Sequence, residues 1–223
     1  DELGRPTPRT QTEIRNLARS HGLLKGGTWQ REYPNSAMIP ELCGKTVGLV
    51  GYGAVGRLVA HYLVALGSRV LAYDPYCRDD PAPAELVDLG RLLEQSDVVS
   101  LHARLSEETT HLIGRGELAM MKPSAVLVNT ARSGLIDEEA LVEALTERRI
   151  MGAALDVFDT EPLPPDHPLL KLDNVTLTPH LAGSTMDAFR NSPRHMAGHL
   201  SRMFRGEGRL PVVNGIRPSL RPG

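Results

Sequence analysis

The stretch TVGLVGYGAVGRLVAHYLVALG, Thr46 to Gly67, decides the fold. TVGLV is a short apolar run closed by glycine, the pattern of a strand buried on both faces. AVGRLVAHYLVALG has helical spacing and stops at Gly67. Between them GYGAVG sets Gly51, Gly53 and Gly56 in a G-x-G-x-x-G pattern. The first glycine permits a tight turn, the second lets backbone approach a pyrophosphate, and the third lets helix pack closely on strand. A strand before the motif and a helix after it supply the context that the motif requires. Ala54 and Val55 complete the loop, whose N–H groups and helix dipole would face the phosphates.

Outward from this stretch the alternation repeats. RVLAY (69–73), DVVSL (97–101), AVLVN (125–129), GAALDV (152–157) and VTLT (175–178) read as further strands, six in all. Helices are expected over Thr12–Lys25, over AELVDLGRLLEQS (84–96), and over DEEALVEALTERR (137–149), with acids in its first turn and arginines in its last. A helical stretch from Gly183 to about Phe204 is expected to be interrupted at Pro193. The pattern is that of an α/β fold, a doubly wound parallel sheet of Rossmann type. The second strand ends at Asp74, 18 residues beyond Gly56. A carboxylate there accepts from adenosine ribose hydroxyls and repels a 2′-phosphate, favouring NAD over NADP; alone, Asp74-Pro75 could equally start a turn. Arg78 leaves NADP tolerance open.

Composition bounds the rest. The 223 residues are 41% hydrophobic and 23% charged, ordinary for a globular protein, and the formal net charge of −2 argues against nucleic acid or an anionic membrane as partner. Cys43 and Cys77 make neither a disulfide framework nor a zinc site, and no apolar run approaches a spanning helix. A cytoplasmic protein is expected. His195 and His199 stand at i and i+4 with no third ligand apparent, so no metal is expected.

DVFDTEPLPPDHPLLKLDNVTLTPHLAGS, Asp156 to Ser184, carries one glutamate before a proline, Glu161, and one histidine after a proline, His180. Taken alone they are a proton-transfer pair or two unconnected loop residues. The segments ELCGKTVGLVGYGAVG, YDPY, SDVVSLHARLSEETTHLIG, MKPSAVLVNTARSGLIDEEAL, GAALDVFDTEPLPPDHPLLKLDNVTLTPHLAGST and PVVN together resemble the D-isomer-specific 2-hydroxyacid dehydrogenases. That resemblance runs from about Thr12 to Asn214. It implies an NAD-dependent oxidoreductase acting on 2-oxo and D-2-hydroxy acids of glyoxylate/hydroxypyruvate or phosphoglycerate type. Arg132, in NTARSG, stands where the family's arginine holds the substrate carboxylate and polarises its 2-oxygen. Glu161 and His180 match the family's acid–base dyad, the glutamate orienting the ring and raising its pKa. Asp156 matches the residue that binds the nicotinamide carboxamide. His102-Ala103 and Thr130-Ala131 match loops that line the cofactor, as do His180 and Gly183. The family commonly forms homodimers.

The resemblance also sets out departures. Arg104 replaces a frequent proline, and Ser133 a frequent glycine. Family members open with a substrate domain, whereas here the likeness starts partway into the helix that follows it. The expected organisation is an irregular lead-in at 1–11, a dinucleotide-binding domain at 12–184, and a helix and tail at 185–223 that would return to a substrate domain. With that domain missing, a catalytically weak NAD-binding module or sensor is the alternative reading.

Overall fold

The computed structural model describes residues 16–30, 41–77 and 82–206. The lead-in, the start of the first expected helix, Arg78 and the tail beyond 206 lie outside them. The described residues fall into two compact units, one ending at Ala182 and one beginning at Gly183.

The first unit is built on seven parallel strands: β1 (Thr46–Val50), β2 (Arg69–Tyr73), β3 (Glu85–Leu86), β4 (Val98–Leu101), β5 (Val126–Asn129), β6 (Gly152–Leu155) and β7 (Val175–Leu177), in the order β3-β2-β1-β4-β5-β6-β7. The helices are α1 (Leu17–Lys25), α2 (Ala54–Ala65), α3 (Leu89–Gln95), α4 (Arg115–Met120) and α5 (Glu138–Thr146). Residues of β4, β5 and β6 are buried throughout. Alternate side chains feed separate cores on the two faces of the sheet. Val50, Leu71, Val99, Leu101 and Leu127 pack with Leu92, Leu118 and Leu141 of α3, α4 and α5. Val47, Leu49, Val70, Val98, Val126 and Val128 pack with Val59, Ala60 and Leu63 of α2. Apolar burial on both faces explains why these strands read as uninterrupted runs.

Two expectations about the first unit are corrected. The helix expected over 84–96 yields a short strand at its start: Glu85 and Leu86 pair with Leu71 and Ala72, and Val87 N–H donates to Ala72 O at 2.9 Å. The helix begins only at Leu89, where the Asp88 side chain accepts from Arg91 N–H at 2.8 Å and caps it. A capping aspartate and the open edge of β2 outweigh the helical spacing upstream. α5 stops at Thr146, and Arg148 takes a left-handed φ of 53°, so the arginines expected in its last turn lie beyond it. They pair there with Asp173 and with Glu143 and Glu147.

In the second unit α6 (Met186–Phe204) is continuous, with Pro193 inside it. Thr185 caps its start by accepting from Ala188 N–H at 3.0 Å. Proline removes one donor from the helical ladder, and the turns on either side carry the helix through. No helix among the described residues is long and apolar enough to cross a membrane.

Candidate active site

At the turn after β1, Gly51 adopts φ 97°. A Cβ there would sit 2.5 Å from Ala103 N, so only glycine lets the turn nest against the backbone after β4. A Cβ on Gly56 would approach Gly51 O to 2.4 Å, which fixes how closely α2 packs on that turn. Gly53 is different: a Cβ there meets no atom within 4 Å, so nothing in the protein demands its absence. Its place as N-cap of α2, beside N–H groups with no helical partner, suits the close approach of a phosphate. Ala54 and Val55 form the first turn of α2 behind it, both exposed. The residues present therefore fit a dinucleotide pyrophosphate.

Asp74, at the end of β2, accepts from Tyr52 N–H at 2.8 Å through one carboxylate oxygen and from Tyr76 N–H at 2.9 Å through the other. A carboxylate can accept about four hydrogen bonds, so capacity remains for ribose hydroxyls. A cleft of about 920 Å³ opens between the glycine turn, Asp74–Tyr76 and the loop 102–112. Across its mouth the Tyr76 hydroxyl donates to Glu108. His102, on the cleft wall, lies 3.0 Å from Ser100 Oγ through Nε2, and burial pushes its pKa down to about 4. It is a neutral lining residue with Ala103, not a second acid.

β5, β6 and β7 end side by side, in the register Asn129↔Leu155↔Leu177. The buried Asn129 accepts from Ala131 N–H at 3.0 Å and donates to Arg132 O at 2.9 Å, so one amide shapes the turn Thr130-Ala131-Arg132. Arg132 is exposed, and its Nη1 donates to Ala131 O at 2.6 Å. His180 Nδ1 lies 2.8 Å from Glu161 Oε2, and Glu161 Oε1 accepts from Phe158 N–H at 3.0 Å. The hydrogen bond from His180, and next that from Phe158, hold the Glu161 carboxyl below its ordinary range. A carboxylate only accepts, so Nδ1 carries the proton and Nε2 is the nitrogen that can exchange one with a substrate. The two residues left open by the sequence do meet.

Asp156 is fully buried. It accepts from Thr178 Oγ1 at 2.6 Å and from the N–H groups of Leu181 and Ala182 at 2.9 and 2.8 Å. Its own carbonyl accepts from His180 N–H at 2.9 Å. Asp156 thus holds the loop in which His180 takes a left-handed φ of 51°. Gly183 opens the second unit. Asn129 and Thr178 were missed in the sequence; the signal was a polar residue ending an apolar strand immediately before a chemically active loop.

Asp74, Gly51, His102, Thr130, Asp156 and His180 follow β2, β1, β4, β5, β6 and β7 in turn, all at carboxyl ends. Five strand spacings of about 4.8 Å make roughly 24 Å, a line suited to an extended dinucleotide. The strand order reverses between β1 and β4, where open parallel sheets bind ligands.

Known proteins share this fold. Residues 11–182 match the D-isomer specific 2-hydroxyacid dehydrogenase, NAD binding domain. The chain is 43% identical over 213 residues to a glyoxylate reductase of Thermofilum pendens, covering 93% of this chain and 63% of that protein. It is 43% identical over 204 residues to a D-3-phosphoglycerate dehydrogenase of Methanocaldococcus jannaschii, covering 90% and 38%. The NAD-complexed D-isomer specific 2-hydroxyacid dehydrogenase of Lactobacillus delbrueckii ssp. bulgaricus superposes with a TM-score of 0.79 at 30% identity, covering 92% of this chain and 66% of that one. The chain thus spans less than two thirds of the length of these two curated relatives. With its glycine turn, its carboxylate after β2 and its His180–Glu161 pair, the chain belongs to the D-isomer specific 2-hydroxyacid dehydrogenase family and carries that family's NAD-binding domain.

Proposed function

We propose that the protein is an NAD-dependent oxidoreductase that interconverts 2-oxo acids and D-2-hydroxy acids of glyoxylate/hydroxypyruvate or phosphoglycerate type. The observation that carries this reading is the 2.8 Å contact between His180 Nδ1 and Glu161 at the sheet edge that also bears the glycine turn. NADH, when bound, would supply the hydride that C2 of the substrate takes up. His180 donates its Nε2 proton to the carbonyl oxygen and recovers one in the reverse direction. Glu161 fixes the ring's orientation and balances the charge of the imidazolium. Arg132 offers a planar fork of donors to the carboxylate and 2-oxygen, which polarises the carbonyl. Asp156 fixes the His180 loop from beneath and matches the family residue that would bind the nicotinamide carboxamide. His102, Ala103, Thr130 and Ala131 line the cofactor, and Gly183 follows the His180 loop.

The same reading makes 12–184 the dinucleotide-binding domain and 185–223 a segment that returns to a substrate domain. It makes the protein a cytoplasmic homodimer. Leu17, Leu24 and Trp29, all more than half exposed in and after α1, support an apolar interface. A mass that stays monomeric at every concentration in light scattering would count against the dimer.

The test is NADH oxidation by the purified chain with glyoxylate, hydroxypyruvate, pyruvate and phosphohydroxypyruvate. Turnover is expected, falling by about 10²–10⁴-fold in His180→Ala and severely in Arg132→Ala. NADH binding without turnover on any of these acids would sink the enzymatic reading and leave a non-catalytic NAD-binding module.

A further inference from the structure

Four prolines, Pro162, Pro164, Pro165 and Pro168, stand in the loop 158–172 that carries Glu161. Each lacks an N–H, so the loop has few backbone hydrogen bonds with which to hold its shape. Leu163, Leu169 and Leu172 seat it on the core, but apolar contact is non-directional and does not aim a carboxylate. Among the described residues, two hydrogen bonds leave this loop. One is the Glu161–His180 contact at 2.8 Å, and the other joins His167 Nε2 to Glu138 Oε1 at 3.0 Å. His167 lies six residues after Glu161, and Glu138, which opens α5, lies six residues after Arg132.

The second pair has the composition of the first and differs in what it leaves free. Leu169 N–H donates to His167 Nδ1 at 3.3 Å, which caps the 3₁₀ turn Pro168–Lys171 and puts the ring proton on Nε2, where Glu138 accepts it. Both nitrogens are committed, and the two side chains are only 15% and 27% exposed, so His167 has no nitrogen to offer a substrate. The Glu138 end is the anchored one. Asn129 clamps the turn at Arg132, Ile113 N–H donates to Leu135 O at 3.0 Å, and Asp137 N–H donates to Ile113 O at 3.0 Å. The Asp137 side chain caps α5, accepting from Ala140 N–H at 3.1 Å. The proline-rich loop is the arm that depends on the bond.

We propose that His167 is a positioning residue: bonded to Glu138, it braces the loop so that Glu161 meets His180 at a set distance from Arg132. This inference rests on the dehydrogenase reading above. Without the brace Glu161 swings with its loop, the His180 ring loses its fixed orientation, and its proton is no longer held on Nδ1. Arg132 and the glycine turn stay in place, so the loss falls on proton transfer and spares cofactor binding.

The experiment compares the wild-type chain with Glu138→Ala, Glu138→Gln and His167→Asn, the last keeping a side-chain acceptor for Leu169 N–H but too short to reach Glu138. Ring-nitrogen NMR shifts, read at about pH 8 where histidine is ordinarily neutral, report which nitrogen of His180 carries the proton. His180→Ala assigns the signal. Wild type and Glu138→Gln are expected to hold the Nδ1–H form, whereas Glu138→Ala and His167→Asn admit the Nε2–H form. In those two variants kcat with the fastest of glyoxylate, hydroxypyruvate, pyruvate and phosphohydroxypyruvate should fall about tenfold, with NADH affinity within about twofold of wild type. Glu138→Gln should keep kcat near the wild-type value. The two losses should not add in the double variant, since each breaks the same bond. A wild-type His180 without the Nδ1 proton, or a tautomer or kcat unmoved in both variants, overturns the brace. So does Glu138→Gln behaving like Glu138→Ala, which would put charge rather than the hydrogen bond at work. If the wild-type chain turns over none of the four acids, the dehydrogenase reading falls, and the tautomer measurement separates that outcome from failure of the brace.

Discussion

A carboxylate with no exposed surface, Asp156, sits under the loop that carries His180, and three donors converge on it. Asp156→Asn turns an amide NH₂ toward those donors, and a cost of about 1–3 kcal/mol is expected in urea unfolding. The same variant should lower kcat more than it weakens NADH, because the loop it loosens carries His180, the proposed proton donor; equal effects would deny the positioning role. His102 gives a second test. With its pKa pushed from 6.5 down to about 4 in the folded chain, the unfolded chain binds more protons between those values. Stability is then lost as pH falls from about 6.5 toward 4, by an amount on the order of a few kcal/mol. His102→Asn should flatten that slope, and an unchanged slope in urea titrations would place the effect elsewhere. Glu161 is the opposite case: its lowered pKa keeps it ionised in mild acid, and its contribution goes only as pH falls through that lowered value. The meeting of Glu161 and His180 was legible, and Arg132 could be named beside them as a candidate, because each sits in a motif of fixed spacing. Asn129 and Thr178 were not, since what a polar residue at a strand end bonds to is decided by neighbours distant in the chain.

Among the elements, β1 and α2 were the most legible, because the glycine spacing, the apolar run and the helical period agree there. The close approach at Gly56 makes that agreement testable. Gly56→Ala forces a methyl against Gly51 O, and α2 must retreat. A loss of about 1–3 kcal/mol in stability is expected, with weakened NADH binding, as the helix N-terminus leaves the turn. Stability and NADH affinity both at wild-type level would show that the packing has more slack than the geometry implies. β3 was illegible for the reason that makes it an edge: it is two residues long, and its pairing comes from β2 rather than from its own pattern. Its Glu85 is bridged by Arg69 at 2.6 Å and Arg91 at 2.7 Å, charges that a helical reading places on a solvent face just as well. α6 shows the limit of proline as punctuation, since the periodicity on both sides of Pro193 outweighs one missing donor.

For the whole molecule, the doubly wound sheet was readable from the alternation of apolar runs and helices, whereas the division at Ala182 followed from packing that no local pattern encodes. Cofactor binding should register on the entire sheet, because its site draws on six of the seven strands. NADH at one hundred times its dissociation constant is expected to add about 2.7 kcal/mol of stability. At roughly 2–4 °C per kcal/mol for a domain of this size, calorimetry should see a rise of several degrees. A melting temperature indifferent to NADH would contradict the site. The strand order has a consequence for the birth of the protein. Of the seven described strands, β1 leaves the ribosome first and takes β2 and β3 on one flank. Every later strand, β4 through β7, then arrives beside the strand made just before it or beside the vacant flank of β1, so synthesis in its natural direction can lay down the sheet without ever having to pry two strands apart.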